Sequence, residues 1–205
     1  MAIAEREIMA AEFPASQEER PVPFRWTIQQ FHDAGEMGLF EGQPVMLIQG
    51  EILAMSPINP PHQGTTTIVG DVLRAAFGGG FVIREQGPFN IGNATDPQPD
   101  VAVVEGDPRQ FLRAHPTRAV LVVEVSDSTL SYDRHEKASL YAKAGIKDYW
   151  IVNVNGAQLE VHRHPEPDET QPHGFGYAQR TTHKSGEIVH PLAAPRPVAV
   201  SMLLP

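Results

Sequence analysis

Apolar residues concentrate in two uninterrupted runs, VAVVE at 101–105 and AVLVVEV at 119–125. Continuous β-branched runs of this length are typical of strands that are buried on both faces. A third run, KDYWIVNV at 147–154, is followed by Asn155-Gly156 and then QLEVHRH, and Asn-Gly is a favoured two-residue hairpin turn. The pattern therefore predicts the middle of a sheet with a hairpin beside it.

Two other segments have helical spacing. Residues 62–77 place apolar side chains three and four positions apart, and the glycines that begin at Gly78 end this helix. Thr27 is a suitable N-cap for a shorter helix that extends to Gly38.

A third helix is predicted over residues 133–144. Asp133 and Glu136 form an Asp-x-x-Glu signature, so we interpret Asp133 as a helix cap. Gly145 stands where a glycine commonly ends a helix.

Weaker signals complete the predicted fold. Two short apolar runs flank Gln49-Gly50 and indicate a β-hairpin. Further strands are predicted at 81–85, 88–91, 177–182 and 188–190. The predicted class is α/β, a mixed β-sheet flanked by helices, with additional β-hairpins.

The 205 residues are enough for one domain with a sizeable core. We expect a flexible N-terminal arm at 1–23, the folded domain at 24–192 and a proline-containing C-terminal tail at 193–205. The chain has no cysteine, which excludes disulfides and thiolate metal sites. Any metal must be held by carboxylate, imidazole or backbone oxygen.

The formal net charge of −9 argues against a polyanionic partner such as DNA. However, residues 1–20 and the acidic segment 165–172, both expected to be mobile, supply −6 of it and leave about −3 on the rest. The N-terminus lacks the apolar core of a secretory signal, and no run is long enough to span a membrane. We therefore expect a soluble, cytoplasmic protein without a membrane partner.

Charged side chains lie at the ends of the central strands. Asp100 opens one strand, Glu124 lies inside the next, and Lys137 falls one turn into the following helix. The two acids converge if their strands pair as antiparallel neighbours. Hydrolysis of a phosphodiester needs a hard cation and a positive group that orients water or offsets charge, and Mg²⁺ typically takes one or two protein carboxylates. The sequence thus predicts a divalent metal site that acts on a phosphodiester.

Each of these residues also has a purely structural interpretation. Asp100 can cap a turn after proline. Glu124 can form a structural salt bridge, because a charge inside an apolar strand is costly unless it is paired or metal-bound. Lys137 can pair with Asp133 four residues earlier on a solvated helix face.

The same motifs carry a family resemblance over roughly residues 25–160. They are Pro99-Asp100-Val101, the run LVVEVSDST, the spacing Asp133-x-x-x-Lys137-x-x-x-Tyr141 and the segment 144–152. In combination they resemble the Uma2 family of putative restriction endonucleases, a branch of the PD-(D/E)XK nuclease superfamily. The resemblance implies a restriction-endonuclease-like fold, Mg²⁺ with Mn²⁺ as the alternative ion, DNA as substrate, and a homodimer.

Carried over by position, the resemblance makes Asp100 and Glu124 metal ligands, with the backbone carbonyl of Val125 completing the shell. One position departs from the superfamily motif, because the lysine expected two residues after the acid is Ser126 here. The family pattern has a lysine on the following helix instead, and Lys137 occupies that place.

Other candidates are weaker. His62, at the start of the second helix, either contributes to the metal site or has a structural role at the helix terminus. Tyr141 either lines the site or packs in the core. The histidines towards the C-terminus lack the spacing of a zinc motif. Three arginines between the two central strands can meet phosphates or remain solvated: Arg109, Arg113 and Arg118.

The leading functional hypothesis is a metal-dependent DNA endonuclease that uses Asp100, Glu124 and Lys137. Two alternatives remain open. One is a catalytically inactive interaction or dimerisation module with the same fold, and the other is a small-molecule phosphoesterase or binding protein that uses the same cleft.

Overall fold

A computed structural model describes residues 21–57 and 59–205. Nearly all of the predicted N-terminal arm therefore lies outside the described residues. The helices are α1 (Ile28–Glu36), α2 (Pro60–Phe77), α3 (Leu130–Tyr132) and α4 (Ala138–Lys143). The strands are β1 (Val45–Ile48), β2 (Glu51–Ala54), β3 (Phe81–Glu85), β4 (Val101–Glu105), β5 (Leu121–Ser126), β6 (Asp148–Asn153), β7 (Gln158–Pro167), β8 (Phe175–Lys184), β9 (Ile188–Val189) and β10 (Val198–Ala199).

Six strands form the main sheet in the order β3-β4-β5-β6-β7-β8. Among these described strands, β5 and β6 pair in parallel and the other neighbours are antiparallel, because the helical segment 130–143 carries the chain back across the sheet between β5 and β6. The hairpins β1–β2 and β9–β10 are separate two-stranded sheets. The predicted α/β class, with a mixed sheet, flanking helices and added hairpins, is confirmed.

The two faces of the sheet bury different layers. On one face, Val123 and Val125 pack with α2 through Leu73 and Phe77. On the other face, Val122 and Ile151 pack with α4. Glu124 lies between Val123 and Val125 in β5, so its side chain points to the α4 face.

The C-terminal residues 193–205 do not form the expected tail. β10 pairs with β9, and a 3-10 turn over Val200–Met202 follows it. Val198, Val200 and Leu203 are buried in the core on the α2 face. Prolines obscured this packing in the sequence pattern, because they break the regular alternation that marks a strand.

The acidic segment 165–172 is likewise ordered. Pro165 and Pro167 stand in β7, where they pair with β8 residues, and the N–H of Asp168 donates to the carbonyl of Gly174 at 3.0 Å. The predicted strand at 88–91 is wrong, since Ile91 makes only an isolated bridge to Thr95.

The third predicted helix begins at Leu130 rather than Asp133, and its middle turn, Asp133–Lys137, is π-helical. Asp133 is therefore not the N-cap that its sequence signature predicted for this helix. Its side chain accepts a hydrogen bond from Thr129 at 2.6 Å and ion-pairs with Lys137 at 3.4 Å. The described part of the chain contains no helix that is both long and apolar enough to cross a membrane.

His162 makes the fold sensitive to acid. It packs edge-on against Tyr149 and Tyr177, with ring centroids 5.5 and 5.8 Å away. Burial, reinforced by Arg180, lowers the pKa of His162 to about 4. The unfolded chain therefore takes up this proton near pH 6.5, whereas the folded chain takes it up only near pH 4.

We expect acidification from about pH 6.5 to 4 to cost about 3 kcal/mol of unfolding free energy through His162. His162→Phe keeps an aromatic ring and should remove most of this loss, as measured by urea unfolding at several pH values. The exposed His190→Phe is the matched control. An unchanged acid profile in His162→Phe would contradict the assignment.

Candidate active site

The two predicted acids stand opposite each other on neighbouring strands. β4 and β5 are antiparallel, and their register pairs Val101 with Val123, which places Asp100 across from Glu124. The N–H of Asp100 donates to Glu124 Oε2 at 3.3 Å, and the N–H of Val125 donates to Asp100 Oδ2 at 2.8 Å. Val125 thus contacts Asp100 through its amide, and a role for its carbonyl stays a prediction.

Glu124 is fully buried and accepts hydrogen bonds from three directions. Besides the amide of Asp100, the Tyr141 hydroxyl donates to Oε1 at 2.7 Å and Lys137 Nζ lies 2.8 Å from Oε2. Lys137 and Tyr141 therefore both reach the carboxylate from the helical segment that packs on this face of the sheet. Their sequence spacing of four predicted that they share a helix face.

The π-helical turn explains how three positions spaced by four all face the sheet. In a regular α-helix each four-residue step turns the side chain by about 40°, so Asp133, Lys137 and Tyr141 would spread over about 80°. The wider turn reduces this spread. Asp133 and Tyr141 are buried and the Lys137 side chain is only 19% exposed, so the pair Asp133–Lys137 does not lie on a solvated face.

His62 joins the cluster from the first turn of α2. Asn59 caps this helix by accepting the N–H of His62 at 2.9 Å. The ring Nε2 of His62 lies 2.8 Å from Asp100 Oδ1. This hydrogen bond to Asp100 raises the pKa of His62 against the opposing effect of burial. His62 therefore contacts the site and also holds the Asp100 carboxylate from the side opposite the sheet amide.

Burial sets the electrostatics of the cluster. It raises the pKa of the Glu124 carboxyl to about 8 against the opposing charge of Lys137. Burial alone would also raise the pKa of Asp100, but the His62 hydrogen bond and the charge of Lys137 hold that pKa below its usual range. Burial would lower the pKa of Lys137, but Glu124 and Asp133 keep it above its usual value, so the amine stays protonated.

The donor set fits a hard divalent cation of the Mg²⁺ type. Asp100 and Glu124 offer carboxylate oxygens, each carboxylate has acceptor capacity beyond the bonds described, and Mg²⁺ needs only one or two such groups because water fills the remaining positions. Within residues 21–57 and 59–205, no group of three or more His, Asp or Glu side chains is arranged to hold a metal ion. Any ion here would thus rely on the two carboxylates.

The cluster opens into a cleft of about 480 Å³ beneath the β1–β2 hairpin. Asp100, His62 and Lys137 line it, together with Asp127. Sequence reasoning missed Asp127, whose Oδ2 accepts a hydrogen bond from the Asn59 side chain at 2.6 Å. The sequence signal that could have indicated Asp127 was its position in the LVVEVSDST run, three residues after Glu124.

Several candidates lie elsewhere. Arg118 lines a different hollow, with Glu105 and Lys147. Arg109 is 86% exposed and pairs with Asp107. Sequence reasoning also missed a second polar cluster on the α4 face, where Arg134 makes a two-point contact with Glu160 at 2.8 and 2.6 Å.

A family model described as "Putative restriction endonuclease", the Uma2 family, matches residues 28–195. The chain belongs to the Uma2 family. The predicted membership is therefore confirmed, over a longer part of the chain than the 25–160 of the motifs. No curated protein matches this Uma2 chain.

Among solved structures, the fold is similar to one titled as a putative nuclease belonging to DUF820 from Anabaena variabilis. The TM-score is 0.65 and the sequence identity 12%, and the match covers 87% of this Uma2 chain and 97% of that protein. At this identity the likeness establishes the shared fold.

Tyr141→Phe should separate the hydroxyl contact from the packing of the ring. Removal of the hydroxyl leaves Glu124 Oε1 without its donor, so we expect metal affinity to fall about tenfold, as for other groups that orient a ligand. The ring remains, so stability should fall by only about 1 kcal/mol. Calorimetric Mn²⁺ titration and urea unfolding measure the two effects, and an unchanged affinity would show that Tyr141 only packs.

Proposed function

We propose that this Uma2 protein is a metal-dependent nuclease that hydrolyses phosphodiester bonds of DNA. Asp100 and Glu124 would hold Mg²⁺ or Mn²⁺, which supplies Lewis-acid polarisation of the phosphoryl oxygen and a more acidic water. The observation that carries the proposal is that two buried carboxylates, Asp100 and Glu124, stand opposite each other on neighbouring strands and that the amine of Lys137 lies 2.8 Å from one of them, Glu124. Membership in a family described as restriction endonucleases supports the DNA substrate.

Each protein group has a distinct part in this proposal. His62 and the Val125 amide fix the two oxygens of Asp100. The Tyr141 hydroxyl fixes one oxygen of Glu124. Lys137, next to the other oxygen, provides the protonated amine that orients water or offsets charge on the phosphoryl group as the bond breaks.

The direct test is cleavage of fluorescently labelled DNA with Mg²⁺, with Mn²⁺ and with EDTA. Cleavage with either metal and none with EDTA supports the proposal. A calorimetric titration without detectable Mg²⁺ or Mn²⁺ binding, together with no cleavage, would overturn it and favour a catalytically inactive interaction module. The displaced lysine is the observation that favours this alternative, because Ser126 stands where the superfamily motif has its lysine.

The volume of the cleft, about 480 Å³, favours a further alternative, a small-molecule phosphoesterase. Hydrolysis of bis(p-nitrophenyl) phosphate without hydrolysis of any DNA substrate would support it. We also propose, from the resemblance to restriction enzymes, that two copies associate as a homodimer. Sedimentation with and without DNA tests this assembly.

A further inference from the structure

A groove made of two adjoining hollows passes over Lys137, and one of the hollows contains the predicted metal ligand Asp100. The cleft of about 480 Å³ that contains Asp100 adjoins a second hollow of about 430 Å³. Four residues line both hollows: Met46, Leu53, Tyr132 and Lys137. The β1–β2 hairpin supplies the first two, so it forms one wall of a continuous path past the site.

Tyr132 is an aromatic side chain without an aromatic partner in this groove. It is half-buried, and within the described residues its ring pairs with no other ring and its hydroxyl makes no hydrogen bond. It stands five residues before Lys137, on the same helical segment. A partly exposed ring of this kind is a platform on which a nucleobase can stack, whatever the base.

The cleft around Asp100 combines an apolar wall with free amides. Leu53 and Met55 contribute to the wall, while Gln86 and Gln98 present half-buried side chains that make no hydrogen bond to any described residue. Amide side chains can bond to the edge of a base. Gln86 has a φ of +49°, and its N–H donates to the carbonyl of Asp100 at 3.0 Å, which holds its backbone beside the site.

The groove offers little free positive charge. Within residues 21–57 and 59–205, Arg25 and Lys137 are the only arginine and lysine that line the groove. Arg25 pairs with Glu51, and Lys137 pairs with Glu124 and Asp133. Duplex DNA is held mainly through many phosphate contacts, and these residues supply few. The volume of each hollow suits a compact ligand such as one nucleotide, not a double helix.

We propose that this groove binds single-stranded DNA, with an unstacked base beside the scissile phosphate packed on Tyr132 and facing Gln86 and Gln98. This inference rests on the proposed nuclease function and specifies its substrate. The consequence is a preference for unpaired strands over duplex. Binding is driven by base contacts more than by phosphate contacts, so its salt dependence is weak.

The test measures binding in EDTA, so that it does not depend on cleavage. A fluorescein-labelled single strand of about 12 nucleotides and the same strand in a duplex are titrated with the full-length protein by anisotropy. We expect the single strand to bind at least about tenfold more tightly, and Tyr132→Ala to weaken this binding about tenfold. The slope of log K against log salt should lie near −1, as for one or two phosphate contacts.

Two further variants sharpen the test. Leu53→Trp fills the groove wall and should weaken single-strand binding, whereas the exposed, distant Ile188→Trp should not. Equal or tighter duplex binding, or an equal loss for both DNA forms in Tyr132→Ala, would overturn the inference. Preferential single-strand binding without cleavage in Mg²⁺ or Mn²⁺ would support the groove and contradict only the nuclease proposal.

Discussion

Asp100→Asn is expected to reduce metal-dependent cleavage by about 10³-fold or more while the fold is retained. The substitution keeps the shape of the side chain but removes the negative charge that would hold the cation, and the cation is worth several kcal/mol in the transition state. The lost carboxylate stands opposite Glu124, so its removal also relieves repulsion between two buried acids. The measurements are the initial rate of DNA cleavage in Mg²⁺ and in Mn²⁺ and the thermal unfolding midpoint.

Asp71→Asn is the matched control for this variant. Asp71 is an exposed residue of α2 whose partner is Arg74, far along the helix from His62. The Asp71→Asn variant should cleave DNA at the wild-type rate. Full activity in both Asp100→Asn and Glu124→Gln would rule out the two-carboxylate metal site, even if the protein cleaves DNA by another route.

Lys137→Met should damage both activity and stability. Without the amine, cleavage should fall at least about 10²-fold, the range typical of a group that assists proton transfer or offsets charge. The buried carboxylates of Glu124 and Asp133 also lose their common cation, which should cost about 3 kcal/mol of unfolding free energy. Urea unfolding and single-turnover cleavage measure the two losses.

Lys143→Met is the control for Lys137→Met, because Lys143 is exposed at the end of α4. Lys137→Arg adds a second comparison, since it keeps the charge but alters its shape. We expect Lys137→Arg to recover most of the stability and only part of the activity. If Lys137→Met is stable and fully active, the Lys137 amine is needed neither for cleavage nor for the stability of the fold.

The sequence predicted the central strands because their apolar runs are strong, local signals. The antiparallel pairing of β4 with β5 brings Asp100 and Glu124 together, as the hypothesis required. The contact of Lys137 with Glu124 was inferred only from the reach of a lysine, since nothing in the local pattern fixes which way a helix packs on a sheet.

Other features depend on contacts between distant parts of the chain. The hydroxyl bond of Tyr141 could not be separated from simple packing, because both require the same buried helix position. The C-terminal residues 193–205 looked like a tail because prolines interrupt them, yet Leu203 is fully buried against residues far away in the sequence. Whether these C-terminal residues are buried depends on contacts with distant parts of the core, which the local sequence pattern does not show.

The π-helical turn was invisible for a different reason. The Asp133-x-x-Glu136 pattern is a real cap signature, but the helix had already started at Leu130, and the widened hydrogen-bond pattern leaves no mark in residue spacing.

That turn also limits how the chain can change in length. Loss of one residue between Asp133 and Lys137 would close the turn into ordinary α-helix and leave these two positions three residues apart, where their side chains diverge by about 60° around the helix axis. We expect Asp133 and Lys137 then no longer to face the sheet together, so the ion pair between them requires the present number of residues in this stretch.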